Sequence, residues 1–110
     1  MANEVSADRF LSVHINSSDS SSSKGTETLY KTYKSYAQTL QSSALTGMGY
    51  ASNGSYNRGL KYRSDLAIGP KMTTALVELG FISNKTEASR INSRTSTIGY
   101  NLYKAICNSF

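Results

Sequence analysis

Two residues in this 110-residue chain are suited to acid–base or metal chemistry and stand where such groups are costly. His14, the only histidine, lies in SVHINS, and Glu78 is a lone carboxylate inside the apolar run ALVELGF. A charge in an apolar setting costs several kcal/mol unless it is paired, hydrogen-bonded or bound to a metal. Imidazole is the commonest metal ligand, yet a single strand histidine is more often a hydrogen-bonded structural residue. Glu78 likewise reads either as a strand-end carboxylate neutralised by Arg or Lys, or as a working acid or base. The pair says more than either residue alone, because two strands of one α/β sheet can bring such side chains together at one end of the sheet.

Other candidates are weaker. The serines 20–23 have neither an evident base nor an oxyanion hole, so a solvated loop is the better reading. Eight tyrosines could stack on sugars or bases, but Tyr33 and Tyr36 fit a helix face packing on a sheet. Cys107 is the sole cysteine, which excludes an internal disulfide and a thiolate zinc site; it is expected to pack as a small hydrophobe. The N-x-S/T matches at Asn16, Asn53 and Asn84 carry no weight without a secretory route. Twelve Lys and Arg against seven Asp and Glu give a net charge of +5, which favours anionic partners. These cations are scattered, which argues against a nucleic-acid stripe. The start MANEVSADRF lacks the basic and apolar pattern of a signal peptide, and no run reaches the ~18 apolar residues of a membrane span. Synthesis in the cytoplasm, without membrane association, is the expectation.

The elements that must hold His14 and Glu78 follow from periodicity. FLSVHIN (10–16) reads as a buried strand, NSSDSSSSKG (16–25) as a polar loop and TETLYK (26–31) as a second strand. Residues 2–8 fit the last turns of a helix. Apolar positions at Tyr33, Tyr36, Ala37, Leu40, Ala44 and Met48 recur at helical spacing until Gly47 and Gly49 stop the helix. GYASNGSYNRG (49–59) reads as a loop, Asp65–Ile68 as a short strand, Gly69–Pro70 as a turn and 74–81 as the central strand. Asn84 with Glu87 has capping-box spacing, and Ile91, Ile98, Leu102, Ile106 and Phe110 line one face of a C-terminal helical segment. Strands alternating with helices predict an α/β layer structure, in one domain over 1–110.

Four segments in order, ADRFLSVHINSS, KGTETLY, NRGLK and ALVELGFISNKTEA, resemble the zinc-dependent N-acetylmuramoyl-L-alanine amidases of bacterial cell-wall hydrolases and phage endolysins. The resemblance runs from about Asn3 to the C-terminus. It implies a twisted mixed sheet flanked by helices and a zinc ion at the strand ends. The bond cleaved would join the muramic-acid lactyl group to L-Ala of the peptidoglycan stem. By the same resemblance His14 is a zinc ligand, Glu78 the catalytic acid/base, and Asn16, Gly25 and Thr26 lie beside the substrate. Two further zinc ligands of that family, a His and a Glu, precede the matched segments, and Glu27 is a structural or substrate-side residue rather than a replacement. The chain therefore reads as the C-terminal half of an amidase domain, inactive alone, with peptidoglycan and a chain supplying the other half as partners. The alternatives are a catalytically dead wall-binding module and, less favoured, a small nucleic-acid binder.

Overall fold

The computed structural model describes residues 9–66 and 73–108. Strand β1 (Arg9–Asn16) and strand β2 (Thr26–Tyr30) are followed by helix α1 (Lys34–Met48). Strands β3 (Asn57–Tyr62) and β4 (Thr73–Phe81) come next, then helices α2 (Lys85–Ser93) and α3 (Thr95–Cys107). The strand order is β1-β4-β2-β3, with β1/β4 and β2/β3 parallel and β2/β4 antiparallel, so the sheet is mixed as expected.

One face of the sheet is dry. Ala75, Val77 and Leu79 alternate along β4 and meet Tyr36, Leu40, Ala44 and Met48 of α1 and Ile98, Leu102 and Ala105 of α3. These are the positions that period-2 and period-3.6 patterning assigns to a common core. The α1 stripe from Tyr36 to Met48 was legible in the sequence, but Tyr33 precedes the helix and is exposed, and Gly47 lies within it; Gly49 ends the helix with φ of 78°, its N–H reaching the carbonyls of Leu45 and Thr46. Gly47 allows close approach, since a Cβ there would lie 2.8 Å from Ile98 Cα. The opposite face carries the remaining side chains of β1, β2 and β4, and with them the polar residues of interest.

Five expectations are corrected. Asn57–Gly59, read as loop, begin β3, and residues 65 and 66 of the expected strand form a turn. Positions 67–70, residues 2–8 and Phe110 lie outside the described residues. The single C-terminal helical segment breaks at Arg94 into α2 and α3. Only half of a capping box forms: Asn84 Oδ1 accepts from the N–H of Thr86 and Glu87, while the Glu87 side chain turns elsewhere. Cys107 is exposed on α3 rather than packed. Among the described residues no helix is long and apolar enough to cross a membrane.

Candidate active site

His14 and Glu78 are register partners on the parallel pair β1/β4, and Glu78 is in turn partnered with Glu27 across the antiparallel pair β4/β2. Partners on adjacent strands point to the same face at ~4.8 Å strand spacing. Continuing across β2 to Gly59 of β3, the row His14–Glu78–Glu27–Gly59 crosses all four strands. The sheet itself thus sets an imidazole beside a carboxylate on the face away from α1 and α3.

Electrostatics differ along the row. Burial pushes the Glu78 carboxyl above its ordinary value of 4.5, and the negative charge of Glu27 pushes it further, against the opposing effects of His14, Arg58 and Arg63. Oε2 of Glu78 is buried and has no hydrogen-bond partner among the described residues. Glu27, its side chain 8% exposed, is compensated by charge: Arg58 Nε is 3.6 Å and Lys61 Nζ 3.4 Å from its Oε2. Arg58 also lies over the Phe81 ring at 5.1 Å and donates from Nη1 to the Lys24 carbonyl.

The other expected site residues are placed differently. Asn16 ends β1 beyond a register shift, where Oδ1 accepts from the N–H of Ser17. Gly25 and Thr26, expected at the substrate, are buried: the Gly25 N–H donates to both Glu87 oxygens at 3.0 Å, and Thr26 Oγ1 donates to the Leu79 carbonyl at 2.7 Å. They position neighbours rather than face the open side. Gly25 has φ of 112°, and a Cβ there would meet Tyr56 O and Arg58 Cγ at 2.8 Å. Gly25→Ala is accordingly expected to cost about 1–3 kcal/mol in urea unfolding; a loss below 0.5 kcal/mol would contradict that placement. Arg58 and Lys61 were not singled out from the sequence, although NRGLK contains both; Gly59 was the available signal for an irregular strand.

A zinc site needs three protein ligands and an open position. Among the described residues no group of three or more His, Cys, Asp or Glu side chains comes together. An exposed imidazole beside an orphaned carboxylate oxygen fits one ligand and one proton acceptor of such a site, and does not complete it.

Comparison with known proteins finds amidases that share this fold. LytC, an N-acetylmuramoyl-L-alanine amidase of Bacillus subtilis, is 38% identical over 92 residues, which are 82% of this chain and 18% of LytC. The catalytic domain of CwlV, an amidase of Bacillus (Paenibacillus) polymyxa, superposes with a TM-score of 0.81 at 27% identity, covering 98% of this chain and 60% of that domain. An amidase of Clostridium difficile shares the fold, with a TM-score of 0.82 at 24% identity over 97% of this chain and 60% of its own. The chain thus spans about three-fifths of the solved structures it matches. The family model for N-acetylmuramoyl-L-alanine amidase matches residues 1–108, and the chain belongs to that family.

Proposed function

We propose that this chain forms part of a peptidoglycan-hydrolysing catalytic domain that cleaves the amide between the muramic-acid lactyl group and L-Ala. The observation that carries the reading is the register pairing of His14 with Glu78 in a member of the amidase family. His14 would hold zinc together with ligands from outside the described residues, and the metal would supply Lewis acidity toward a water and the scissile carbonyl. Glu78 accepts the proton of the attacking water as the C–O bond forms. It then returns that proton to the nitrogen as the C–N bond breaks, freeing the amino group of L-Ala. Burial of Glu78 favours its neutral form, which strengthens it as the base that takes the proton of the attacking water and holds that proton until the amine leaves. Asn16, at the open end of β1, is the proposed substrate contact among the residues named from the resemblance.

The remaining ligands are proposed to arrive on strands that extend the sheet beyond β1. Among the described residues that strand is an edge, and Val13 and Ile15 on it are 46% and 45% exposed although Leu11, on the same face, packs against the core. An apolar, unpaired edge of this kind invites another strand. The 110 residues by themselves are expected to release no L-Ala amino termini from purified walls, with or without added zinc, and to do so once the rest of a catalytic domain is supplied. In that completed domain His14→Ala should lose bound zinc, read by elemental analysis. Retention of stoichiometric zinc by His14→Ala would remove His14 from the ligand set, and cleavage by the 110 residues alone would overturn the need for further ligands. Salt-sensitive binding to walls without cleavage by the completed domain would favour a wall-binding module instead.

A further inference from the structure

The geometry points to a second recognition point on the same face of the sheet: Arg58 and Lys61 form a subsite for a carboxylate of the stem peptide, on the second residue beyond the scissile amide. This rests on the amidase reading for the identity of the peptide, and on the following geometry for everything else.

Arg58 and Lys61 are three residues apart, and on a regular strand such residues point to opposite faces. Here both approach the same oxygen, Glu27 Oε2. The cause is a register shift: Thr26 pairs with Asn57 but Glu27 pairs with Gly59, so Arg58 is an extra residue in β3, and Gly59 accommodates the bulge with φ of 80°. Bulges of this kind re-aim a side chain, and this one brings two cations to one face at the end of the His14–Glu78–Glu27 row.

The two cations are held but not consumed. Glu27 lies beneath them with its Oε2 buried and without a hydrogen-bond donor, so one inaccessible carboxylate fixes two positive charges by attraction alone. Arg58 is further immobilised by Phe81 and the Lys24 carbonyl, while Lys61 remains 55% exposed. Arg63, the next cation along β3, already pairs with Asp65 at 2.7 Å and does not compete. The other acid of the row, Glu78, stands on the far side of Glu27, because β2 separates β4 from β3. The row therefore places the Glu78 carboxyl at one end and two cations at the β3 end.

Two strand spacings separate these ends, ~10 Å, of which two extended residues cross ~7 Å, and Arg58 and Lys61 reach back over β2 toward Glu27 to meet them. A cleaved stem peptide has matching polarity, with a new amino group where the bond broke and a free carboxylate on the acidic residue that follows L-Ala. Arginine and lysine side by side suit a carboxylate, the guanidinium as a fork and the ammonium as a point charge.

The test measures binding and not turnover. N-acetylmuramoyl-L-alanyl-D-glutamate capped as its γ-methylamide, which leaves one free carboxyl, and its counterpart with that carboxyl converted to a carboxamide are titrated into the 110-residue chain in zinc-free buffer, followed by amide NMR shifts. The acid is expected to bind about 5–10-fold more tightly than the amide, the scale of one charge-assisted contact. Lys61→Gln, at an exposed position that does not threaten the fold, should reduce that preference below twofold, and Lys61→Arg should keep it. Equal affinities for the two probes, no shift with either, or an undiminished preference in Lys61→Gln would overturn the subsite. Because zinc and turnover do not enter the readout, failure of the amidase reading would appear separately, as absence of cleavage by the completed domain.

Discussion

In a completed catalytic domain, Glu78→Gln retains its zinc and loses about 10³–10⁴ of turnover, with little change in KM. The magnitude is that of a general acid–base group used twice in one cycle, and glutamine preserves the shape of the side chain while removing its capacity to take a proton. KM is spared because the substrate contacts proposed here lie at Asn16 and on β3, not on the Glu78 carboxylate. The measurement is steady-state release of L-Ala amino termini together with metal content. Parallel loss of zinc in Glu78→Gln and His14→Ala would make Glu78 a ligand and not the base.

The same substitution has an opposite effect on the isolated fold. The folded-state pKa of Glu78 is raised, chiefly by burial and then by Glu27, so ionisation favours the unfolded chain. Below the ordinary value of 4.5 both states are protonated and the residue is neutral in the balance; stability is lost as pH rises from there through the folded pKa. In zinc-free buffer Glu78→Gln should therefore melt a few degrees higher than the parent at pH 7 and no higher at pH 4, the usual trade between stability and a working active site. A lower melting point at pH 7 would mean that the Glu78 carboxylate is held by partners that offset its burial.

How much of this was legible in the sequence depended on whether a residue's role follows from its own spacing. β1, β4 and the α1 stripe announce themselves by apolar periodicity, and His14 and Glu78 stand out because they interrupt it. The parallel register that pairs them is a property of the sheet and had to be seen. β3 escaped because Asn57 and Gly59 carry turn chemistry, which here serves a bulge within a strand. Nothing in the spacing of Gly25 and Thr26, expected beside the substrate, announces that their donors are drawn inward by Glu87 and Leu79. Cys107 packs less than its type suggests because α3 buries only Ile98, Leu102 and Ala105.

Glu87→Ala is expected to remove about 3–5 kcal/mol of stability, the largest loss from any single side chain discussed for this molecule. Glu87 is 1% exposed, and its spacing from Asn84 suggested only a capping role. Its carboxylate instead accepts the Gly25 N–H on both oxygens, the Phe81 N–H at 2.9 Å and the Tyr50 hydroxyl at 2.7 Å. One side chain of α2 thus ties together the loop before β2, the end of β4 and the segment after α1. Space for it depends on Gly80, where a Cβ would lie 3.0 Å from Glu87 Cδ. Burial, then the hydrogen bond to Glu87 and its charge, raise the Tyr50 pKa, which keeps that hydroxyl a neutral donor at physiological pH. Truncation to alanine would leave three buried donors unsatisfied, each costing about 1–3 kcal/mol. A domain of this size has only about 5–15 kcal/mol in hand. Tyr50→Phe removes one donor and leaves the other two bonded, so about 1 kcal/mol is expected there. Urea unfolding of the three proteins gives the comparison, and a Glu87→Ala loss below about 1 kcal/mol would show that water replaces the carboxylate at no cost. The effect should reach the substrate groove as well, since Gly25 and Phe81 are the residues against which Arg58 is set. In Glu87→Gln, which keeps the volume but offers an amide where the N–H donors need an oxygen, the acid-over-amide preference read at Lys61 and Arg58 should weaken while the protein is still folded. An unaltered preference would mean that the bulge of β3 alone holds the two cations in place.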